Sequence, residues 1–321
     1  MGSIQQFNIY VLDPFHQDAI DLVQSLPHVQ VILPNDPRKA HWHADADGIM
    51  IRSDSRLTEE DFAKAACLRA VVKQGVGVDN IDLAGAKAHG IAIHNTPALN
   101  SESVAELSMA LALSLSRRVS EIDRAVRSGQ RVIRSTMLST SMFRKRVGVV
   151  GMGNIGKIIA QKWIGAFECE IVAYDPYAPA DAWKGLSHTR VEALDELLKD
   201  ADVVTLHVPL LESTRGLISD HELGIMKDNA ILVNCARGGV VDEKALLRAL
   251  DKKKIGGAAL DVMEIEPPTL DVYGEFLKHE NVIMTPHIGG STIENQSRTG
   301  RAVVETLMDV LEGREATGKL V

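Results

Sequence analysis

The chain has 321 residues, 45% hydrophobic and 24% charged, with a net charge of −8, which is ordinary for a globular protein with room for two cored domains. The acidic balance and the lack of any basic block argue against a nucleic-acid partner. The uncharged run from 107 to 116 is ten residues, too short to span a bilayer, so no membrane role is expected. Three cysteines, Cys67, Cys169 and Cys235, show no close pairing or metal-ligand spacing, and the N-terminus lacks the basic-then-apolar order of a signal peptide. A reduced, metal-free, cytoplasmic protein follows. Met1-Gly2 opens like a myristoylation signal, but Gln6 stands where Ser or Thr is required.

In the first third, β-rich apolar runs at 8–13, 29–33, 48–52, 70–74 and 91–94 alternate with helical spacings at 17–25, 59–66 and 83–89. That alternation predicts a parallel sheet covered on both faces. A helix rich in Ala and Leu is predicted over 104–118, with Ser101-Glu-Ser-Val104 opening it. Strands are then expected to begin at Val147, Ile171, Val203, Ala230, Gly257 and Val282, forming a six-stranded doubly wound sheet. A last helix is predicted over 293–311. The organisation expected is α/β: a Rossmann dinucleotide-binding domain, 100–289, inserted in a flavodoxin-like domain formed by 1–99 and 290–321.

The central motif is Arg146-Val-Gly-Val-Val-Gly-Met-Gly-Asn-Ile-Gly156. A strand runs into G-x-G-x-x-G at Gly151, Gly153 and Gly156, and a helical pattern follows. Gly151 permits the tight turn, Gly153 lets backbone approach a pyrophosphate, and Gly156 lets helix pack on strand. The free N–H groups at the helix start suit the anion. Asp175 closes the next apolar run, 19 residues after Gly156, where a carboxylate accepts hydrogen bonds from a ribose 2′-hydroxyl. Pro176-Tyr177 bring no arginine for a 2′-phosphate, so NAD is the expected cofactor.

Three titratable residues follow three successive strands: Arg237 in Ala230-Ile-Leu-Val-Asn-Cys-Ala-Arg237, Glu266 in Leu260-Asp-Val-Met-Glu-Ile-Glu266, and His287 in Val282-Ile-Met-Thr-Pro-His287. Singly, each also reads as a surface ion-pair, turn or capping residue. Jointly they suit hydride transfer to a 2-oxo acid. Arg237 offers a planar, permanently charged fork for the carboxylate and the polarised carbonyl. His287 gives the proton in reduction and takes it in oxidation. Glu266 holds His287 and favours its protonated form.

From Gly48 to about Gly313 the chain resembles the D-isomer-specific 2-hydroxyacid dehydrogenases, and looks most like the catalytic part of the phosphoglycerate dehydrogenases among them. The segments concerned are Ile51-Arg-Ser53, Gly75-Val-Gly-Val-Asp-Asn80, Asn95-Thr-Pro97, Asn100-Ser-Glu-Ser-Val-Ala-Glu-Leu107, the glycine motif, Asn234-Cys-Ala-Arg-Gly-Gly-Val-Val-Asp-Glu243, Glu266-Pro-Pro268 and Pro286-His-Ile-Gly-Gly290. The resemblance implies that Arg237, Glu266 and His287 are the catalytic set. It implies cofactor contacts at Val104, Asn154, Ile155, His207, Val208, Pro209, Thr214, Cys235, Ala236, Arg237, Asp261, His287, Gly289 and Gly290, beside the three glycines and Asp175. Substrate contacts are implied at Val76, Gly77, Asn100, Arg237 and His287, with Arg52 meeting a second anionic group. Lys73 either shares that task or is a solvated residue at a strand end. No regulatory domain is expected after Val321. Members are usually dimers or larger, with the Ala/Leu-rich helix in the interface or simply packed in the core.

Two departures touch the substrate. The stretch 129–141 differs from the family's usual lead into the nucleotide strand, and Lys73-Gln74 stand where phosphoglycerate enzymes tend to place an arginine. The expected reaction is therefore NAD-dependent interconversion of a D-2-hydroxy acid and its 2-oxo acid. 3-Phosphoglycerate or a close anionic relative comes first, and glyoxylate, hydroxypyruvate or another 2-oxo acid second. A corepressor-type dinucleotide sensor shares the fold and predicts partner binding without turnover. Formate oxidation fits less well, because it needs no acid/base histidine and glutamate.

Overall fold

The computed structural model describes residues 6–321, so the Met1-Gly2 reading lies outside the described residues. Contacts divide the chain into two units, one of Met1–Asn100 with Gly290–Val321 and one of Ser101–Gly289. Asn100, expected with the second unit, falls with the first.

The first unit carries strands β1 (Phe7–Val11), β2 (Val29–Ile32), β3 (Gly48–Ile51), β4 (Ala70–Lys73) and β5 (Ala92–Asn95). All are parallel, in the order β2-β1-β3-β4-β5, the flavodoxin-like doubly wound order. Helices α1 (Gln17–Gln24), α2 (Glu59–Lys64) and α3 (Leu83–Ala88) link them, with a 3₁₀ segment at Pro37–Ala44 that the sequence pattern had not suggested. Local chemistry starts the helices: Thr58 and Asp61 form a reciprocal cap on α2, and Asp82 caps α3. Successive strand residues face opposite layers. Ile49 and Ile51 join Tyr10, Val71 and Ile93 in one core, while Met50 joins Ile9, Val11 and Val72 in the other.

The second unit opens with α4 (Ser101–Ser116) and α5 (Val119–Arg127). Its strands are β6 (Arg146–Val150), β7 (Glu170–Tyr174), β8 (Thr189–Arg190), β9 (Val203–Leu206), β10 (Ile231–Asn234), β11 (Gly257–Leu260) and β12 (Val282–Met284). They form one parallel sheet in the order β12-β11-β10-β9-β6-β7-β8. The sheet has seven strands, not six. The extra strand β8 is two residues long and polar, so no apolar run announced it. β9, β10 and β11 are buried along their whole length, as parallel strands covered on both faces must be. Helices α6 (Asn154–Phe167), α7 (Leu194–Asp200), α8 (Asp220–Ile225), α9 (Glu243–Asp251) and α10 (Leu270–Leu277) connect them. The order reverses between β6 and β9, which places a ligand crevice outside their carboxyl ends.

The chain then returns to the first unit as α11 (Ile293–Leu311), capped by Thr292. Its Val303, Val304 and Leu307 are buried in the core with Met50 and Val72. Among the described residues no helix is long and apolar enough to cross a membrane.

Candidate active site

The glycine turn between β6 and α6 is built for close approach. Gly151 has φ +101°, and a Cβ there would stand 2.6 Å from the His207 carbonyl oxygen. A Cβ on Gly156 would stand 2.2 Å from the Gly151 carbonyl oxygen. Both positions exclude side chains. Gly153, by contrast, faces open space: nothing lies within 4 Å of where its Cβ would be. It is the N-cap of α6 and supplies no side-chain cap, so the first N–H groups of the helix are left for an anion. Asn154 is exposed there and Ile155 half-buried. This open, uncapped helix start fits a dinucleotide pyrophosphate.

Asp175 stands at the end of β7. One carboxylate oxygen accepts from Met152 N at 2.9 Å and the other from Tyr177 N at 2.9 Å. These bonds fix the carboxylate beside the glycine turn. An arginine lies nearby, contrary to the reading of Pro176-Tyr177 alone. Arg190, on the unforeseen strand β8, donates to the backbone carbonyls of Asp175, Ala178 and Pro179. Its donors brace the loop through backbone carbonyls and leave the Asp175 carboxylate to the Met152 and Tyr177 N–H groups.

Across the reversal point, His207 and Val208 follow β9. The His207 ring bonds Thr205 Oγ1 through Nε2 at 2.8 Å, and Thr205 Oγ1 lies 2.8 Å from Ser108 Oγ. Burial pushes the His207 imidazole down to about 3, so it is neutral. Pro209 is held through its carbonyl by the Thr214 hydroxyl at 2.6 Å. Sequence reasoning marked His207 but not the Ser108–Thr205 pair, because hydroxyls inside a helix and a strand carry no motif.

Asn234, buried at the end of β10, shapes the next turn. Its amide accepts from Ala236 N and donates to Arg237 O, both at 3.0 Å. Cys235 is buried, and burial raises its thiol, so this position offers backbone rather than sulfur chemistry. Arg237 follows, with Nη1 donating to the Ala236 carbonyl at 2.7 Å.

His287 follows β12, and its Nδ1 lies 2.8 Å from Glu266 Oε2. Burial pushes the Glu266 carboxyl up, but its bond to His287, the imidazole charge, the Met263 N–H and the Arg237 charge outweigh that and hold it low. Arg237, Glu266 and His287 thus form one electrostatic group. His287 has φ +56°, a left-handed conformation that costs a non-glycine residue roughly 1–2 kcal/mol. Its N–H donates to Asp261 O at 2.8 Å and Thr285 O at 2.9 Å. The Asp261 carboxylate accepts from Thr285 Oγ1, Ile288 N and Gly289 N at 2.6–2.9 Å. Asp261 therefore braces the histidine loop, a task its sequence position did not reveal. Val104, buried on α4, lies beside Gly289, whose Cβ would stand 3.2 Å from Val104 Cγ2.

The remaining sequence-predicted residues belong to the first unit. The loop Gly75–Gly77 is pinned by Gly75 N to Thr96 Oγ1 at 2.8 Å and by Asn95 Nδ2 to Val76 O at 2.7 Å. The N–H groups of Val76 and Gly77 donate to nothing among the described residues, which suits a carboxylate. Lys73 is buried, its Nζ 3.4 Å from Ser53 Oγ and Gln74 O; it is not a solvated strand end. Arg52 donates from Nη1 to Pro14 O at 2.8 Å, and its N–H donates to Asp13 Oδ2. Asn100 is half-buried at the end of this unit, and Gly290 accepts from Asn295 and Gln296 at the start of α11.

Residues 109–289 match the sequence profile described as D-isomer specific 2-hydroxyacid dehydrogenase, NAD binding domain. The chain is 40% identical over 309 residues to the D-3-phosphoglycerate dehydrogenase of Methanocaldococcus jannaschii, covering 96% of this chain and 58% of that protein. It is 35% identical over 308 residues to the hydroxypyruvate reductase of Thermotoga maritima, covering 95% of this chain and 99% of that one. The chain therefore spans little more than half of the first relative and nearly all of the second. Among solved structures it is similar to a D-lactate dehydrogenase of Aquifex aeolicus complexed with NAD and lactic acid. There the TM-score is 0.81 at 31% identity, over 95% of this chain and 96% of that one.

Proposed function

The chain belongs to the D-isomer specific 2-hydroxyacid dehydrogenase family, and on that premise we propose that it interconverts a D-2-hydroxy acid and its 2-oxo acid with NAD. One observation carries the proposal: His287 and Glu266 are paired at 2.8 Å within the field of Arg237, on the same sheet edge as the open glycine turn. When bound, the nicotinamide ring supplies or accepts the hydride at the substrate carbon. Glu266 occupies Nδ1 of His287, which leaves Nε2 to give a proton to the carbonyl oxygen in reduction and to take it back in oxidation. Each turn of reduction consumes one hydride and one proton and leaves one hydroxyl. Arg237 orients the carboxylate and polarises the carbonyl. Gly151, Gly153, the first turn of α6 and Asp175 hold the dinucleotide, with Val104, Ile155, His207 to Pro209, Thr214, Ala236 and Gly289 lining it.

In this reading the second unit is the NAD domain and the first the substrate domain. The N–H groups of Val76 and Gly77 take the substrate carboxylate, and Arg52 and Lys73 take a second anionic group. The favoured substrate is 3-phosphoglycerate or a close anionic relative, as the phosphoglycerate dehydrogenase relative suggests. The hydroxypyruvate reductase relative, spanned almost whole, supports a small 2-oxo acid as the second reading. The protein acts in the cytoplasm as a homodimer. Its own apolar surface supports pairing: Val119 and Val126 on α5, with Ile133, Leu138 and Phe143 beyond it, are all more than half exposed. The second copy covers that face, while α4 buries Val104, Ala105, Leu111 and Ala112 in the core and leaves Leu107, Met109 and Leu113 partly buried.

The test is loss of NADH absorbance with a panel of 2-oxo acids, singly and doubly anionic. Turnover that disappears in His287→Ala supports dehydrogenation. Tight NADH binding with no turnover on any acid sinks it in favour of a dinucleotide sensor.

A further inference from the structure

The loop that presents Glu266 has little core packing to hold it. Glu264, Ile265 and Glu266 are all exposed, and Ile265 keeps 56% of its surface. Its position is set instead by its backbone. Three consecutive N–H groups are each taken by a side-chain oxygen: Met263 N by Glu266 Oε1 at 3.1 Å, Glu264 N by Glu243 Oε1 at 2.7 Å, and Ile265 N by the Tyr273 hydroxyl at 3.0 Å. Tyr273 in turn lies 3.3 Å from the same Glu243 oxygen, to which its hydroxyl donates. Glu243 opens α9 and Tyr273 is buried in α10, so the loop is tied to two helices.

We propose that Glu243 and Tyr273 form a clamp that positions Glu266, and through it His287, for proton transfer. Neither residue touches the reacting atoms in this scheme; both are positioning residues. The chemistry of the pair suits a clamp. Burial pushes the Tyr273 phenol up to about 12, so the hydroxyl remains a donor to Glu243 while its oxygen accepts from Ile265. Burial also raises the Glu243 carboxyl, and the N–H of Glu264 and the Tyr273 hydroxyl oppose that rise. The clamp reaches Arg237 as well. Gly238 packs so closely under the loop that a Cβ there would stand 1.9 Å from the Met263 carbonyl oxygen and 2.7 Å from Glu264 N. The segments that carry Arg237 and Glu266 thus meet at one backbone contact.

The proposal rests on the reading of Glu266 and His287 as the proton-handling pair, and the experiment separates the two. Tyr273→Phe, Glu243→Gln and Glu243→Ala are compared with wild type in NADH-dependent reduction and in amide hydrogen exchange. Tyr273→Phe strands the Ile265 N–H and should lower kcat about tenfold, with the KM for NADH changed by less than about twofold. Its alkaline limb should move to lower pH, as in Glu266→Gln, a change that a merely structural role would not produce. Glu243→Gln keeps an amide oxygen for Glu264 N and should retain more activity than Glu243→Ala. Exchange at 263–265 should quicken in Tyr273→Phe with the rest of the sheet unchanged. A wild-type kcat and pH limb in Tyr273→Phe overturns the positioning role, and so does unchanged exchange at 263–265. Should the wild type turn over no 2-oxo acid, the function assigned above fails, while the exchange measurement still decides the clamp.

Discussion

Glu266→Gln isolates the charge of the acid/base pair from its shape. The amide keeps an oxygen for His287 Nδ1 but removes the negative charge. In the wild type the pair is 2.8 Å apart, with side chains 33% and 43% exposed. Solvent reaches it, so its worth lies between the roughly 0.5 kcal/mol of an exposed ion pair and the roughly 3 kcal/mol of a charged hydrogen bond in a protein. A middle value of about 1.4 kcal/mol corresponds to about one pH unit. Glu266 is held low by His287 in spite of burial; a carboxylate attracts an imidazolium proton, and the amide of Glu266→Gln does not. Reduction needs that proton. In Glu266→Gln the alkaline limb of kcat for reduction should therefore move down by about one pH unit. Oxidation needs the unprotonated ring, so its acid limb should move down by a similar amount. The stability term has the opposite pH sense: a carboxyl with a lowered folded-state pKa stabilises above its unfolded value, and that contribution is lost as pH falls. Steady-state kcat measured from pH 5 to 10 in both directions, with NADH and NAD absorbance as the signal, reads the limbs. Limbs that stay in place, or that move to higher pH, refute the assignment of Glu266 as the partner of the proton-carrying histidine.

Asp175→Ala should relax the preference for NAD, because the carboxylate that repels a 2′-phosphate is gone while Arg190 remains nearby. The ratio of kcat/KM for NADH and NADPH should fall by at least about tenfold, and an unchanged ratio places the discrimination elsewhere. Gly238→Ala forces a Cβ into the Met263 carbonyl, so the loop must move by about 1 Å. Such misplacement costs on the order of a hundredfold in kcat, with NADH affinity measured by fluorescence as the control that should hold. Arg52→Ala should cost about ten- to a hundredfold in kcat/KM on a doubly anionic substrate and leave glyoxylate nearly unchanged. Equal losses on both would make Arg52, already bonded to Pro14 O, a purely structural residue.

The division between what the sequence revealed and what it hid follows from interaction range. A parallel strand covered on both faces must be apolar throughout, so β9, β10 and β11 stand out as runs. Strand β8 gains its place by pairing with β7, not by burial, and its Thr189-Arg190 carry no pattern. The helix α5 spaces Val119, Ile122 and Val126 as an apolar stripe yet has no buried residue, so its pattern marks a face that the core does not cover. Site residues divide the same way. Arg237, Glu266 and His287 stand out as candidates because each follows a strand, and a strand end in a doubly wound sheet is a ligand edge. Gly151, Gly153 and Gly156 stand out as one local motif, although only Gly151 and Gly156 lack room for a side chain. The bracing side chains were not: Tyr273 meets the loop 8 residues before it, Glu243 meets it from 21 residues before, and Asp261 reaches forward across a whole strand crossover. What spacing reveals is which groups can react. What holds them is assembled from residues whose meaning exists only after the helices have packed, and so a Tyr at 273 or a Glu at 243 reads as ordinary helix until the backbone amides of 264 and 265 are seen to need them.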